Sequence, residues 1–236
     1  MLSRRRLLSA LAVAPLIDLL PRRARADSPR VLMVGDSLIA GGFGPQLQDE
    51  LEEQHGIEVA RHGKVASGLA RPDFYDWFTI GPELREEFRP DAVVVMFGGN
   101  DHQGLFMGER ARPRWIGYED PTWENEYRRR INAFAKAMAP ETELLIWVGM
   151  PQMRATDLRA HVAYVNQLFR EEMAIRPNAR FVDIWNVLAL DGEFTEELEI
   201  DGQQTRVRTR DGVHITRAGG AYLAEFVHPR IADWVS

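Results

Sequence analysis

The chain has 236 residues, 45% of them hydrophobic, and no cysteine. That length predicts one domain with a core large enough to stand without cross-links, and the missing cysteine excludes thiol nucleophiles, thiolate-held zinc and iron–sulfur clusters. A formal net charge of −6 gives no overall basic face for neutralising phosphates, so nucleic acid is not an expected partner.

At the front of the chain, Arg4, Arg5 and Arg6 precede an apolar run from Leu7 to Leu20 and a small-residue site at Ala24-Arg25-Ala26. This pattern predicts a cleaved export signal over residues 1–26, and with no internal repeat or linker beyond it residues 27–236 read as one domain. The string Ser3 to Leu8, S-R-R-R-L-L, is similar to a twin-arginine signal, as are Asp18 within the run and Arg22 and Arg23 behind it. The run is too short to span a bilayer, and an aspartate interrupts it. The twin-arginine export machinery is therefore an expected partner, with a periplasmic or secreted location and no stable membrane insertion after cleavage. Removing residues 1–26 takes away six Arg and one Asp and moves the net charge from −6 to −11.

Beyond the signal, Arg30 to Gly35 reads as a short strand followed at once by turn residues, and Phe43 to His55 carries Leu47 and Leu51 at helical spacing. Asp91 to Phe97 is a continuous apolar run of the kind buried on both faces of a sheet, and Leu144 to Val148 is another. Thr122 to Met138 and Leu158 to Arg176 are long and periodic enough for helices, and Ala179 to Ile184 reads as a further strand. Strands alternating with helices imply a parallel sheet covered on both faces. The stretches Asp101 to Pro121 and Trp185 to Arg210 read as long loops, of the kind that form sites or lids, the second with a small hairpin around Asp201-Gly202.

Four short motifs occur in order: G-D-S-L at Gly35 to Leu38, Gly68 within V-A-S-G-L, G-G-N-D at Gly98 to Asp101, and D-G-V-H at Asp211 to His214. Ser37 directly follows a predicted strand, and ligands of open α/β sheets bind beyond the carboxyl ends of strands. Asp36 and Ser37 would equally serve as caps of the next helix. A serine hydroxyl becomes a nucleophile only when a neighbouring base takes its proton. His214 is the natural base, and Asp211 would bond its other ring nitrogen and fix the tautomer. A metal site at His214 would need further ligands at suitable spacing, and none stands near it. His55, His62, His102, His161 and His228 lack comparable context and read as surface or packing residues. Asn100, just past the buried strand, would offer a side-chain amide beside Ser37, and the Ser37 N–H would be a further oxyanion donor. Gly68 alone reads as a turn glycine.

Taken together the four blocks resemble the SGNH/GDSL family of serine esterases and lipases, and the likeness spans nearly all of residues 27–236. The resemblance implies a flavodoxin-like three-layer αβα sandwich with a mostly parallel central sheet. It makes Ser37, Asp211 and His214 the catalytic residues and Ser37, Gly68 and Asn100 the oxyanion hole. No cofactor and no metal are implied. The second block departs from the family pattern in lacking the asparagine that often precedes its glycine. The stretch from Gly68 to Trp77 is similar to an exported bacterial subgroup whose substrate is not defined.

Arg71, Arg154, His102 and Gln103 fall at predicted strand ends or adjoining loops and are candidates for touching substrate. Trp115, Tyr118 and Trp123 could stack on a sugar ring, but aromatic residues in a long loop more often pin that loop to the body, and they are read as its anchors. The expected activity is hydrolysis of a carboxylic ester through an acyl-enzyme at Ser37, with an O-acetyl group on an envelope glycan as the first candidate substrate. Transfer of the acyl group to a sugar hydroxyl, and a catalytically silent envelope-binding module, are the alternatives.

Overall fold

The computed structural model describes residues 28–140 and 142–235; the export signal expected over residues 1–26 lies outside the described residues. The chain runs β1 (Arg30–Gly35), α1 (Ser37–Ala40), α2 (Gly44–His55), β2 (Glu58–Gly63), α3 (Trp77–Phe88), β3 (Ala92–Met96), β4 (Leu105–Phe106), β5 (Trp115–Ile116), α4 (Trp123–Met138), β6 (Leu144–Val148) and α5 (Thr156–Ala174). It continues β7 (Ala179–Val182), β8 (Ala189–Leu190), β9 (Glu193–Phe194), β10 (Glu197–Ile200), β11 (Gln203–Arg206) and α6 (Arg217–Val235).

Five strands form one sheet in the order β2-β1-β3-β6-β7, and every neighbouring pair is parallel. Renumbered within the sheet, that order is 2-1-3-4-5, the flavodoxin-like winding. The expected three-layer sandwich is thus present, and its sheet is wholly parallel. Alternation along each strand sorts the core into two layers. Val31 and Met33 of β1 join Ala92, Val94 and Met96 in a cluster with α2 and α6, whereas Leu32 and Val34 join Val93, Val95 and Phe97 in a cluster with α4 and most of α5. Because both faces are covered, β1 and β3 read as unbroken apolar runs.

Among the described residues no helix is long and apolar enough to cross a membrane. The hairpin around Asp201-Gly202 is formed by β10 and β11, and the stretch 101–121 holds the short antiparallel pair β4 and β5. That stretch is pinned as anticipated: the Tyr118 and Trp123 rings lie 5.0 Å apart, and the Trp123 indole donates to the Gln103 carbonyl.

Candidate active site

The parallel sheet sends the loops after β1, β2 and β3 to one end, and backbone hydrogen bonds stitch them together. The Asp36 N–H donates to Met96 O at 3.2 Å, and the Lys64 N–H donates to Gly35 O at 2.9 Å. Strand order reverses between β1 and β3, which is the crevice where such sheets bind ligands.

Ser37 opens α1 directly behind β1. Asp36 caps that helix, its Oδ1 accepting from the Leu38 N–H at 2.9 Å. The capping reading and the placement of Ser37 therefore coexist, divided between two adjacent residues. Asp36 is buried, and burial pushes its carboxyl up to about 7, with the Leu38 N–H opposing and Asp101 adding to the shift.

His214 Nε2 lies 2.9 Å from Ser37 Oγ, and its Nδ1 lies 2.7 Å from Asp211 Oδ2. Desolvation works to raise the Asp211 carboxyl, but hydrogen bonds from the Thr209 hydroxyl, the His214 ring and the N–H groups of Val213 and His214 outweigh it and hold the group well below the usual carboxylate range. An ionised carboxylate only accepts, so Nδ1 carries the proton and Nε2 is left with a lone pair toward the serine hydroxyl. Gly212 makes the turn between them with φ of 74°, a left-handed conformation that favours glycine.

That loop is braced from beneath by two arginines. Arg208 has no exposed surface and donates to the carbonyls of Gln152, Val213 and His214, and burial lowers its pKa to about 10. Arg154 donates its N–H to Gly212 O at 3.0 Å and its Nη1 to Arg210 O at 2.8 Å, and pairs with Glu196. Of the candidates for touching substrate, Arg154 has its guanidinium engaged by the loop that carries Asp211 and by Glu196.

Gly68 and Asn100 stand in the loops beside Ser37. One hydrogen of the Asn100 amide is used on Ser67 O at 3.0 Å, and the second has no acceptor among the described residues. The N–H groups of Ser37 and Gly68 likewise have none there. A Cβ at Gly68 would sit 2.2 Å from Asp101 Oδ1. The glycine is therefore required by the Asp101 side chain, a contact beyond the turn that the sequence suggested for it.

Asp101 is the site-supporting residue whose part the motif did not convey. Fully buried, it accepts from the N–H groups of Leu69 and Ala70 at 3.1 and 2.9 Å and from the Tyr127 hydroxyl at 2.6 Å. From the opposite side Arg130 donates to the carbonyls of Leu69 and Ala70 at 2.8 and 2.9 Å, and Glu126 offsets its charge. The turn that presents the Gly68 N–H is thus held at both its donors and its acceptors. His161 is also buried, donating from Nε2 to Gly98 O at 3.1 Å, and burial lowers its pKa to about 4. It is a packing residue, as its context suggested.

An open cleft of about 290 Å³ adjoins Asn100, lined by Ala66, Arg71, Phe74, His102 and Gln103. Of the four candidates, Arg71, His102 and Gln103 line this cleft and Arg154 does not.

A family model described as "Protein of unknown function (DUF459)" matches residues 30–230. No curated protein matches the chain. Solved structures with the same fold include a carbohydrate esterase family 3 protein from Talaromyces cellulolyticus, 14% identical over 88% of this chain and 98% of that one, with a TM-score of 0.59. A mutant of an acetyl-xylooligosaccharide esterase from Geobacillus is 18% identical over 88% and 96%, with a TM-score of 0.58. An alpha/beta hydrolase enzyme from the metagenome of Lake Arreo, Spain, is 17% identical over 88% and 96%, with a TM-score of 0.60. At these identities the likeness is one of fold.

Proposed function

The chain belongs to the DUF459 family, and from that SGNH-type fold and the residues it brings together we propose that it is a serine esterase acting through an acyl-enzyme at Ser37. The unbroken hydrogen-bonded series from Ser37 through His214 to Asp211 carries the reading. Ser37 Oγ attacks the ester carbonyl as His214 Nε2 takes its proton, and Asp211 stabilises the resulting imidazolium. The carbonyl oxygen becomes an oxyanion, for which the N–H groups of Ser37 and Gly68 and the free hydrogen of Asn100 are the donors. When the tetrahedral adduct collapses, the bond to the alcohol breaks and His214 returns the proton to the departing oxygen. Water then attacks the acyl-Ser37 bond by the same route, releasing the acid and restoring the serine.

An acetyl ester on an envelope glycan is the proposed substrate. The carbohydrate esterase and acetyl-xylooligosaccharide esterase among the structural neighbours favour a short acyl group on a sugar. The arginine-led stretch at residues 1–26 would deliver the protein to the envelope. Ser37→Ala is expected to abolish hydrolysis of 4-nitrophenyl acetate while leaving the thermal unfolding midpoint within about 2 °C, because the side chain is small and only partly buried. Undiminished activity in that variant would overturn the reading.

A further inference from the structure

Outside the triad two imidazoles meet although 173 residues separate them in the chain. His55 ends α2 and His228 lies in α6; His55 Nε2 is 2.8 Å from His228 Nδ1, and the ring centroids are 5.0 Å apart. Leu47 and Leu51 of α2 and Leu223 and Val227 of α6 hold the two helices in one core cluster. Two carboxylates stand beside the imidazoles: Glu225, which precedes His228 by one turn on the same face of α6, and Glu50 of α2. One ligand atom from each of Glu50, Glu225 and His228 lies within 4.8 Å of the others. Neither carboxylate has an Arg or Lys partner among the described residues. Just past His55 the chain enters β2 at Glu58, which pairs with Arg30 at the start of β1, whereas Ser37 follows the other end of β1. The cluster thus lies about 16 Å, a strand's length, from the catalytic end of the sheet.

A ring N–H···N bond needs a proton on one nitrogen and a lone pair on the other, so His55 Nε2 and His228 Nδ1 share a single proton. His228 Nε2, by contrast, makes no hydrogen bond among the described residues, although its side chain is only 12% exposed. Glu225 Oε2 lies 3.5 Å from it, too far for a charge-assisted bond. Two ligands of a tetrahedral zinc, each about 2.0 Å from the ion, lie about 3.3 Å apart. The spacing is therefore that of two groups sharing a cation, and two carboxylates without a counter-charge would neutralise a dication.

We propose that His228 Nε2 and one oxygen each of Glu225 and Glu50 bind a zinc ion that ties α6 to α2, with water in the fourth position. With Nε2 on the metal, His228 Nδ1–H donates to His55 Nε2, the outer bond that fixes the tautomer of a zinc-bound imidazole. The imidazole selects zinc over magnesium and calcium, which take oxygen ligands. Helix α2 follows closely on Ser37, and α6 begins just past His214. A metal joining them stabilises the packing that brings the two together, and it acts on stability with no part in the ester chemistry.

The test uses protein without an affinity tag, stripped with EDTA and then given zinc chloride or magnesium chloride. Equilibrium dialysis should find one tightly held zinc per chain. At a hundredfold excess of zinc over its Kd the thermal unfolding midpoint should rise by about 5 °C or more, and magnesium should leave it unmoved. In Glu50→Gln/Glu225→Gln the zinc-induced rise should vanish. His55→Ala, which keeps all three ligands, should bind zinc about tenfold more weakly. No rise with zinc, an equal rise with magnesium, or a rise undiminished in the double variant overturns the proposal. A rise that survives the double variant and is lost in His214→Ala places the ion on the catalytic imidazole and overturns it as well. These readouts are independent of ester hydrolysis.

Discussion

Adding one methyl group at Gly68 probes how the oxyanion-side turn is built. The new Cβ would lie 2.2 Å from Asp101 Oδ1, 2.7 Å from its Cγ and 2.8 Å from its Oδ2. The carboxylate cannot swing aside, since it is buried and held by Leu69 N, Ala70 N and the Tyr127 hydroxyl. The turn must therefore move, carrying the Gly68 N–H with it. Overpacking of this kind costs roughly 1–3 kcal/mol, and spoiling one of the hydrogen bonds to a buried carboxylate adds about 1–3 kcal/mol. Misplacing one oxyanion donor lowers kcat by about a hundred- to a thousandfold. Gly68→Ala should thus lose on the order of 3 kcal/mol in urea unfolding and at least about a hundredfold in kcat on 4-nitrophenyl acetate, with KM little changed. Titration of Ser37 with a fluorophosphonate probe would correct for unfolded protein. A variant that retains kcat within twofold of the wild type would refute both the clash and the donor role of Gly68.

Replacing Arg208 by Met should lower kcat about tenfold or more with a smaller change in KM, because the Gln152 and Val213 carbonyls lose the Arg208 donor, the His214 carbonyl keeps only its bonds from Thr209, and the imidazole drifts from Ser37. Arg208→Lys should restore part of the activity, and an unchanged kcat in Arg208→Met would show that the loop holds itself. His161 has a folded pKa of about 4 against an ordinary value of 6.5, so below pH 6.5 the unfolded chain takes up the proton first. Its contribution is intact above pH 6.5 and is lost as the pH falls toward 4, amounting to about 3 kcal/mol. His161→Gln should therefore lose about 2 kcal/mol less stability than the wild type between pH 7 and pH 4.5 in urea titrations; identical losses would remove His161 as the acid-sensitive group.

Much of the fold was legible where local pattern and burial coincide. The apolar runs of β1, β3 and β6 and the periodic stretches of α4 and α5 announced themselves because strands and helices packed on two sides leave few polar positions. Three elements gave no such signal. β2 is an edge strand of mixed residues, Glu58 to Gly63, with Val59 buried and the others less so. α3 contains Gly81 and Pro82, and α6 contains Gly219, Gly220 and Pro229. Local propensity argues against helices there, yet Trp77 in α3 and Leu223, Val227 and Ile231 in α6 are buried in the core and override it.

The sequence by itself determined the chemical inventory: which hydroxyl, imidazole, carboxylate and amide exist, and that each follows a strand or sits in a turn. Only the tertiary structure decided their company. Ser37 and His214 are 177 residues apart, and their contact depends on the sheet order and on α6 packing beside α2. The opposite fates of Arg71 and Arg154 make the same point, one lining the cleft and the other bound into the loop of Asp211. A residue type and its neighbours in sequence fix what a group can do. Which partners satisfy it is settled by long-range packing, where buried donors and acceptors must find one another across distant parts of the chain.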